Sequence, residues 1–196
     1  MDPPFRPSLL DVTVVSVGAT TPPTPRSKLP GNLTLHLHWK DGTGQRVQFM
    51  YHNSGAQRDT HCALGEPWIL KSEPQKPPRT TSATRKEWEA FQESHVIPIP
   101  VCYGYFEKQV AGVPVEMLIM DRIAFTQMEA FTRLRALPPS PINLLAAERL
   151  IFNPIETMAT LAKKHSIRLH DWHCENIAFQ DSIHSKKKIY IYIYFF

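Results

Sequence analysis

The chain has 196 residues, 42% of them hydrophobic, and a formal net charge of +4 dispersed along its length. That length accommodates one domain or two small lobes, and so mild a charge implies no nucleic-acid surface by itself. The three cysteines, Cys62, Cys102 and Cys174, are far apart and odd in number, which suits a reducing compartment.

Met1-Asp2-Pro3-Pro4 has neither the basic start nor the apolar core of a secretory signal. The expected setting is cytoplasmic, with no membrane partner, and the Asn32-Leu33-Thr34 sequon carries no weight there. Leu10 to Val17 is apolar and β-branched, a predicted strand. Thr20 to Pro30 carries four prolines and reads as a loop. Leu33 to Trp39 and Val47 to Tyr51 alternate around Asp41-Gly42-Thr43-Gly44, which predicts a β-hairpin. An ordinary turn accounts for that D-G-T-G, although Gly42 and Gly44 would also let backbone amides approach a phosphate.

Trp68-Ile69-Leu70-Lys71 reads as a short strand ending in a lysine. A Pro-, Ser- and Thr-rich loop from Glu73 to Thr84 follows, then a helix from Arg85 to Glu93. Glu87 lies three residues after Thr84, the spacing of a capping box. Val96 to Phe106 and Val115 to Asp121 read as strands. Helices are predicted over Gln127 to Leu137 and Asn143 to Phe152, separated by Pro138-Pro139-Ser140-Pro141. Asn153-Pro154, with Glu156, reads as a fresh helix start, so Pro154 implies a kink or break. Ile151, Ile155, Met158 and Ala162 repeat at helical spacing and predict a core-facing stripe.

The most chemically specific stretch is Arg168-Leu169-His170-Asp171-Trp172-His173-Cys174-Glu175-Asn176. Phosphoryl transfer needs a carboxylate that orients or deprotonates the attacking hydroxyl and an amide oxygen that holds a metal on the phosphates. Asp171 and Asn176, five apart in one tight loop, have that pattern. His165, His170, His173 and Cys174 offer a rival zinc chemistry, but their spacing fits no common finger. The lack of a G-x-S-x-G elbow speaks against a Ser-His-Asp hydrolase.

The Asp171 loop resembles the H-x-D-x-x-x-x-N loop of the protein-kinase-like superfamily, and its D-W-H-C-E-N is closer to the D-L-H-P-x-N wording of aminoglycoside and choline kinases than to the D-L-K-P-E-N of ordinary protein kinases. Upstream, Trp68 to Lys71 resembles the family's V-A-I-K strand, and Glu87 stands in a helix like the one whose glutamate pairs with that lysine. Val96 to Phe106 and Val115 to Asp121 resemble the next strands to the hinge, so the ordered likeness runs from Lys71 to Phe179. It implies an α+β fold: a kinase-like N-lobe of antiparallel sheet plus one helix, then an incomplete, mainly helical C-lobe ending in a β-hairpin. The matching division is 1–31 as an N-terminal strand and Pro-rich loop, 32–121 as N-lobe to hinge, and 122–196 as partial C-lobe. The cofactors implied are ATP and Mg²⁺. Asp171 would be the base, Asn176 a cofactor and metal ligand, Lys71 the phosphate contact and Glu87 its partner. The substrate hydroxyl, protein or small molecule, stays open.

The departures have consequences of their own. Leu169 stands where the family commonly has histidine. Ile177 to Gln180 and Lys188 to Ile191 supply two hairpin strands, yet no aspartate follows Asp181 to serve as the D-F-G-type metal ligand. The alternating Ile-Tyr run that follows is apolar on both faces, an aggregation-prone pattern if uncovered. The expectation is an incomplete or degenerate copy, with a non-catalytic kinase-like binding protein as the alternative.

Overall fold

The computed structural model describes residues 9–18, 29, 31–55, 58–75, 81–93, 101–122, 125–165, 177–180 and 190–193. Its organisation starts from the predicted hairpin. Strands β2 (Asn32–Trp39) and β3 (Gly44–Ser54) pair antiparallel, with His38 opposite Gly44 and Asn32 opposite Met50. The turn is fixed locally. Asp41 Oδ1 accepts from the Thr43 hydroxyl at 2.6 Å and from the Thr43 amide at 2.9 Å, and Gly42 takes a φ of 85° that a side chain would strain.

Around this hairpin a seven-stranded antiparallel sheet runs in the order β1-β2-β3-β4-β5-β7-β6. Its other strands are β1 (Leu9–Val17), β4 (Asp59–Ala63), β5 (Trp68–Pro74), β6 (Cys102–Val110) and β7 (Val113–Asp121). The edge strands β1 and β6 come to lie side by side, and Lys108 on β6 reaches Asp11 on β1 at 2.6 Å. The sheet is thus nearly closed into a barrel. Every second residue points inward, so Leu33, Leu35 and Leu37, Val47 and Phe49, and Val115, Met117 and Ile119 form one buried core. Trp39, Trp68 and Tyr103 cluster at its margin with ring centroids 5.5–5.7 Å apart.

The sequence called for a kinase-like N-lobe with a mainly helical C-lobe, and the structure corrects this. It is mostly sheet, a nearly closed seven-stranded barrel with three helices among the described residues. Two causes stand out. Strand β4, Asp59-Thr60-His61-Cys62-Ala63, buries Asp59 and His61 alongside a single small apolar residue, Ala63, so its alternation is invisible to hydrophobic patterning. Strand β1, set apart as an N-terminal extension, pairs with β2 along most of its length and belongs to the same sheet.

Helix α1 (Ala83–Glu93) is anchored by its first turn. Ser82 is its N-cap, accepting from the Arg85 amide at 3.0 Å, and the Glu73 carboxylate accepts from the Thr84 amide at 2.6 Å. A carboxylate at that position also complements the helix dipole. Ser82 in turn donates from its hydroxyl to Glu116 on β7. The capping-box role considered for Glu87 is therefore taken by other residues. Trp88 stacks on Tyr105 of β6, with the rings 18° apart in plane.

The chain divides into two compact units, Met1–Gln92 with Val101–Arg122, and Glu93–Pro100 with Ile123–Phe196. The second holds α2 (Gln127–Arg135), α3 (Pro141–His165) and a three-stranded sheet, β10-β9-β8, of β8 (Phe125–Thr126), β9 (Ile177–Gln180) and β10 (Tyr190–Ile193). Thr126 and Glu129 form a reciprocal capping box at α2. The break expected at Pro154 does not occur, because α3 runs through it. Proline lacks the N–H that would bond the carbonyl four residues back. That carbonyl, of Leu150, instead accepts from the buried Gln127 side-chain amide. The core-facing stripe is corrected too, since Ile151 and Ile155 are 42% and 48% exposed.

Candidate functional site

Strand parity places the candidate site. On β5 the inward residues include Leu70, so Lys71 points to the opposite face, where α1 is anchored. One turn of helix beyond the Ser82 cap brings Glu87 over Lys71. Lys71 Nζ donates to Glu87 Oε1 at 2.6 Å. The structure therefore joins the two residues that the sequence proposed as partners, sixteen positions apart.

A third group, not anticipated, completes the cluster. Arg58 donates from its guanidinium to the other carboxylate oxygen, Glu87 Oε2. The ladder pairs Thr60 with Lys71, and Arg58 lies two residues before Thr60, so alternation carries it to the same face. Its backbone is held by the Gly55 amide, which donates to the Arg58 carbonyl at 2.8 Å. Next to it, Asp59 accepts from the Ser54 hydroxyl at 2.6 Å and from the Leu29 amide at 2.9 Å. The signal that would have found Arg58 is its parity with Lys71, legible only once β4 is recognised as a strand.

All three charges are withdrawn from water: the Glu87 side chain is 4% exposed, that of Lys71 10% and that of Arg58 12%. Burial pushes the Lys71 amine below its ordinary value, against the pull of Glu87. Burial alone would raise the Glu87 carboxyl, but the combined attraction of Lys71 and Arg58 outweighs it and the net shift is downward. The Cys102 thiol, within the field of the same groups, is pushed up to about 12, chiefly by burial. Nearby, Tyr103 donates from its hydroxyl to Asp121 at 2.6 Å and fixes the end of β7.

Chemically this cluster is a lysine with a lowered proton affinity, oriented by a carboxylate that a second cation keeps ionised. Such an ammonium can present donors to a phosphate in a defined direction. The turn with Gly42 and Gly44 is a different matter. A Cβ at Gly44 would meet His36 Nε2 at 2.5 Å, so the room beside that glycine is filled by a side chain of the protein itself. Asp171 and Asn176, with Trp172 and the His170, His173 and Cys174 group, lie outside the described residues. Among the described residues no three His, Cys, Asp or Glu side chains gather as a metal site, and no helix is long and apolar enough to cross a membrane.

No known family model matches the chain, and no curated protein matches it.

Proposed function

We propose that the chain carries the nucleotide-phosphate site of an ATP-dependent phosphotransferase, in which Lys71 contacts the inner phosphates and Glu87 orients it. The observation that carries this reading is the Lys71–Glu87 ion pair at 2.6 Å, together with the Asp171 and Asn176 loop in the sequence. ATP with Mg²⁺ would supply the transferable phosphoryl group and part of its charge stabilisation. On this reading Lys71 neutralises phosphate charge and Glu87 fixes the direction of its N–H bonds, while the sequence resemblance would give Asp171 the role of base and Asn176 that of metal ligand.

A non-catalytic reading is favoured by one observation, the second cation on Glu87. Arg58, Glu87 and Lys71 together suffice to brace α1 against the sheet without any ligand. An ATP acyl phosphate, which acylates an amine lying beside the phosphates, separates the two readings. The phosphotransferase reading expects Lys71 to be the modified residue by peptide mapping, with labelling suppressed by excess ATP and Mg²⁺. Labelling spread over exposed lysines, unaffected by ATP, leaves only the brace.

A further inference from the structure

A separate constellation lies on the outer face of the barrel, away from α1's anchor residues in the ladder. His36 and His38 stand two apart on β2, so the strand period puts both rings on one face, opposite the buried Leu33, Leu35 and Leu37. Their rings stack with centroids 4.6 Å apart and planes 24° from parallel. The surroundings leave them room. Gly44 pairs with His38, and any Cβ there would collide with His36 Nε2. Across the other ladder, Thr13 Oγ1 lies 3.1 Å from His38 Nε2 and Asp11 pairs with His38. Asp11 is held by Lys108 at 2.6 Å, and Arg46 pairs with His36.

We propose that His36 and His38 form a surface chelate for a divalent transition-metal ion of the zinc, copper and nickel class. Two imidazoles and no thiolate favour these ions over magnesium or calcium, which prefer oxygen. Small rotations of the side chains turn the stacked rings so that one nitrogen of each reaches a common ion at about 2.0–2.1 Å. Thr13, as hydrogen-bond partner of His38, selects which of its nitrogens is free. With no third ligand gathered among the described residues, water completes the coordination, and the site is open rather than structural. Asp11 can join only by giving up Lys108, and Arg46 opposes the added charge. Binding is therefore reversible, and it weakens as acid protonates the rings.

The test is calorimetric titration of the full chain with Zn²⁺ at pH 7.5 and at pH 5.5. The expected result is binding at the higher pH that is lost at the lower. His36→Asn and His38→Asn should each reduce affinity by about tenfold or more, since loss of an outer-shell partner alone costs that much. A chain that takes up no Zn²⁺, or a His36→Asn/His38→Asn double variant that binds as the parent does, overturns the proposal. Proton NMR of the histidine ring resonances during a Cu²⁺ titration of the unmutated chain needs no variant to fold. First broadening at His36 and His38 supports the site, and first broadening elsewhere overturns it.

Discussion

Replacing Glu87 by Gln keeps the side chain's shape and removes the charge that Lys71 and Arg58 share. Neither cation can then return to water without moving α1, because their side chains are only 10% and 12% exposed. Deleting one partner of a buried ion pair costs about 3–5 kcal/mol, because the other charge is left uncompensated. Two stranded cations do not double that figure. Burial already lowers the proton affinity of Lys71, so the amine can shed its proton for about 1.4 kcal/mol per unit of further shift. Lys71→Met is milder, since Arg58 stays on Glu87, and it should cost about 1.5–3 kcal/mol, the value of a hydrogen bond to a charged group. The double variant should lose less than the two single losses together, with a coupling of about 1–3 kcal/mol. Urea unfolding followed by tryptophan emission reports on this unit, because Trp39 and Trp68 pack against its core. At a slope of about 1–3 kcal/mol per molar urea, a loss of about 3 kcal/mol lowers the midpoint by about 1–3 M. A Glu87→Gln change within about 0.5 kcal/mol of the parent, the size of an ordinary surface substitution, would refute the reasoning.

Three further expectations follow from the same geometry. The Glu87 carboxyl sits below its ordinary value of 4.5 in the folded chain, so its contribution is present above that pH and is lost as pH falls through the folded value. The urea midpoint should accordingly drop on acidification and do so less steeply in Glu87→Gln; parallel curves would contradict this. Gln127→Leu should cost about 1–3 kcal/mol by leaving the Leu150 carbonyl unbonded, and adding Pro154→Ala should restore much of it by supplying the missing N–H; thermal unfolding that shows simple addition of the two effects would count against that link. Cys102, half-buried and with its thiol pushed up to about 12, should react more slowly with iodoacetamide at pH 8 than it does in urea, and equal alkylation rates by peptide mapping would contradict that upward shift.

The alternation of Leu33, Leu35 and Leu37 and the D-G-T-G turn made the β2–β3 hairpin legible, and the isolated lysine after Trp68-Ile69-Leu70 marked β5. The pairing of Lys71 with Glu87 could be proposed because a motif order, rather than any local pattern, linked them. What stayed hidden has physical causes. Strand β4 buries an acid, held by the Ser54 hydroxyl and the Leu29 amide, and an imidazole, so no apolar stripe announces it. Without β4 the parity of Arg58 could not be read, and the third member of the charge cluster went unseen. Near-closure of the sheet depends on β1 meeting β6, a tertiary contact that includes the Lys108–Asp11 pair and that no local pattern announces. Local rules also misread Pro154, because the Leu150 carbonyl it leaves unbonded is taken by Gln127, 23 residues away in sequence.

The central claim, that Lys71 is a phosphate contact, is met most directly by calorimetric titration of Mg·ATP and of adenosine into the parent chain and Lys71→Met. Loss of one charge-assisted contact worth about 1.5–3 kcal/mol weakens binding by roughly 10- to 150-fold. The account predicts that the parent binds Mg·ATP, that Lys71→Met loses affinity on that scale, and that adenosine binds both proteins alike. Equal affinity of the two proteins for Mg·ATP, or no binding by the folded parent, would contradict it.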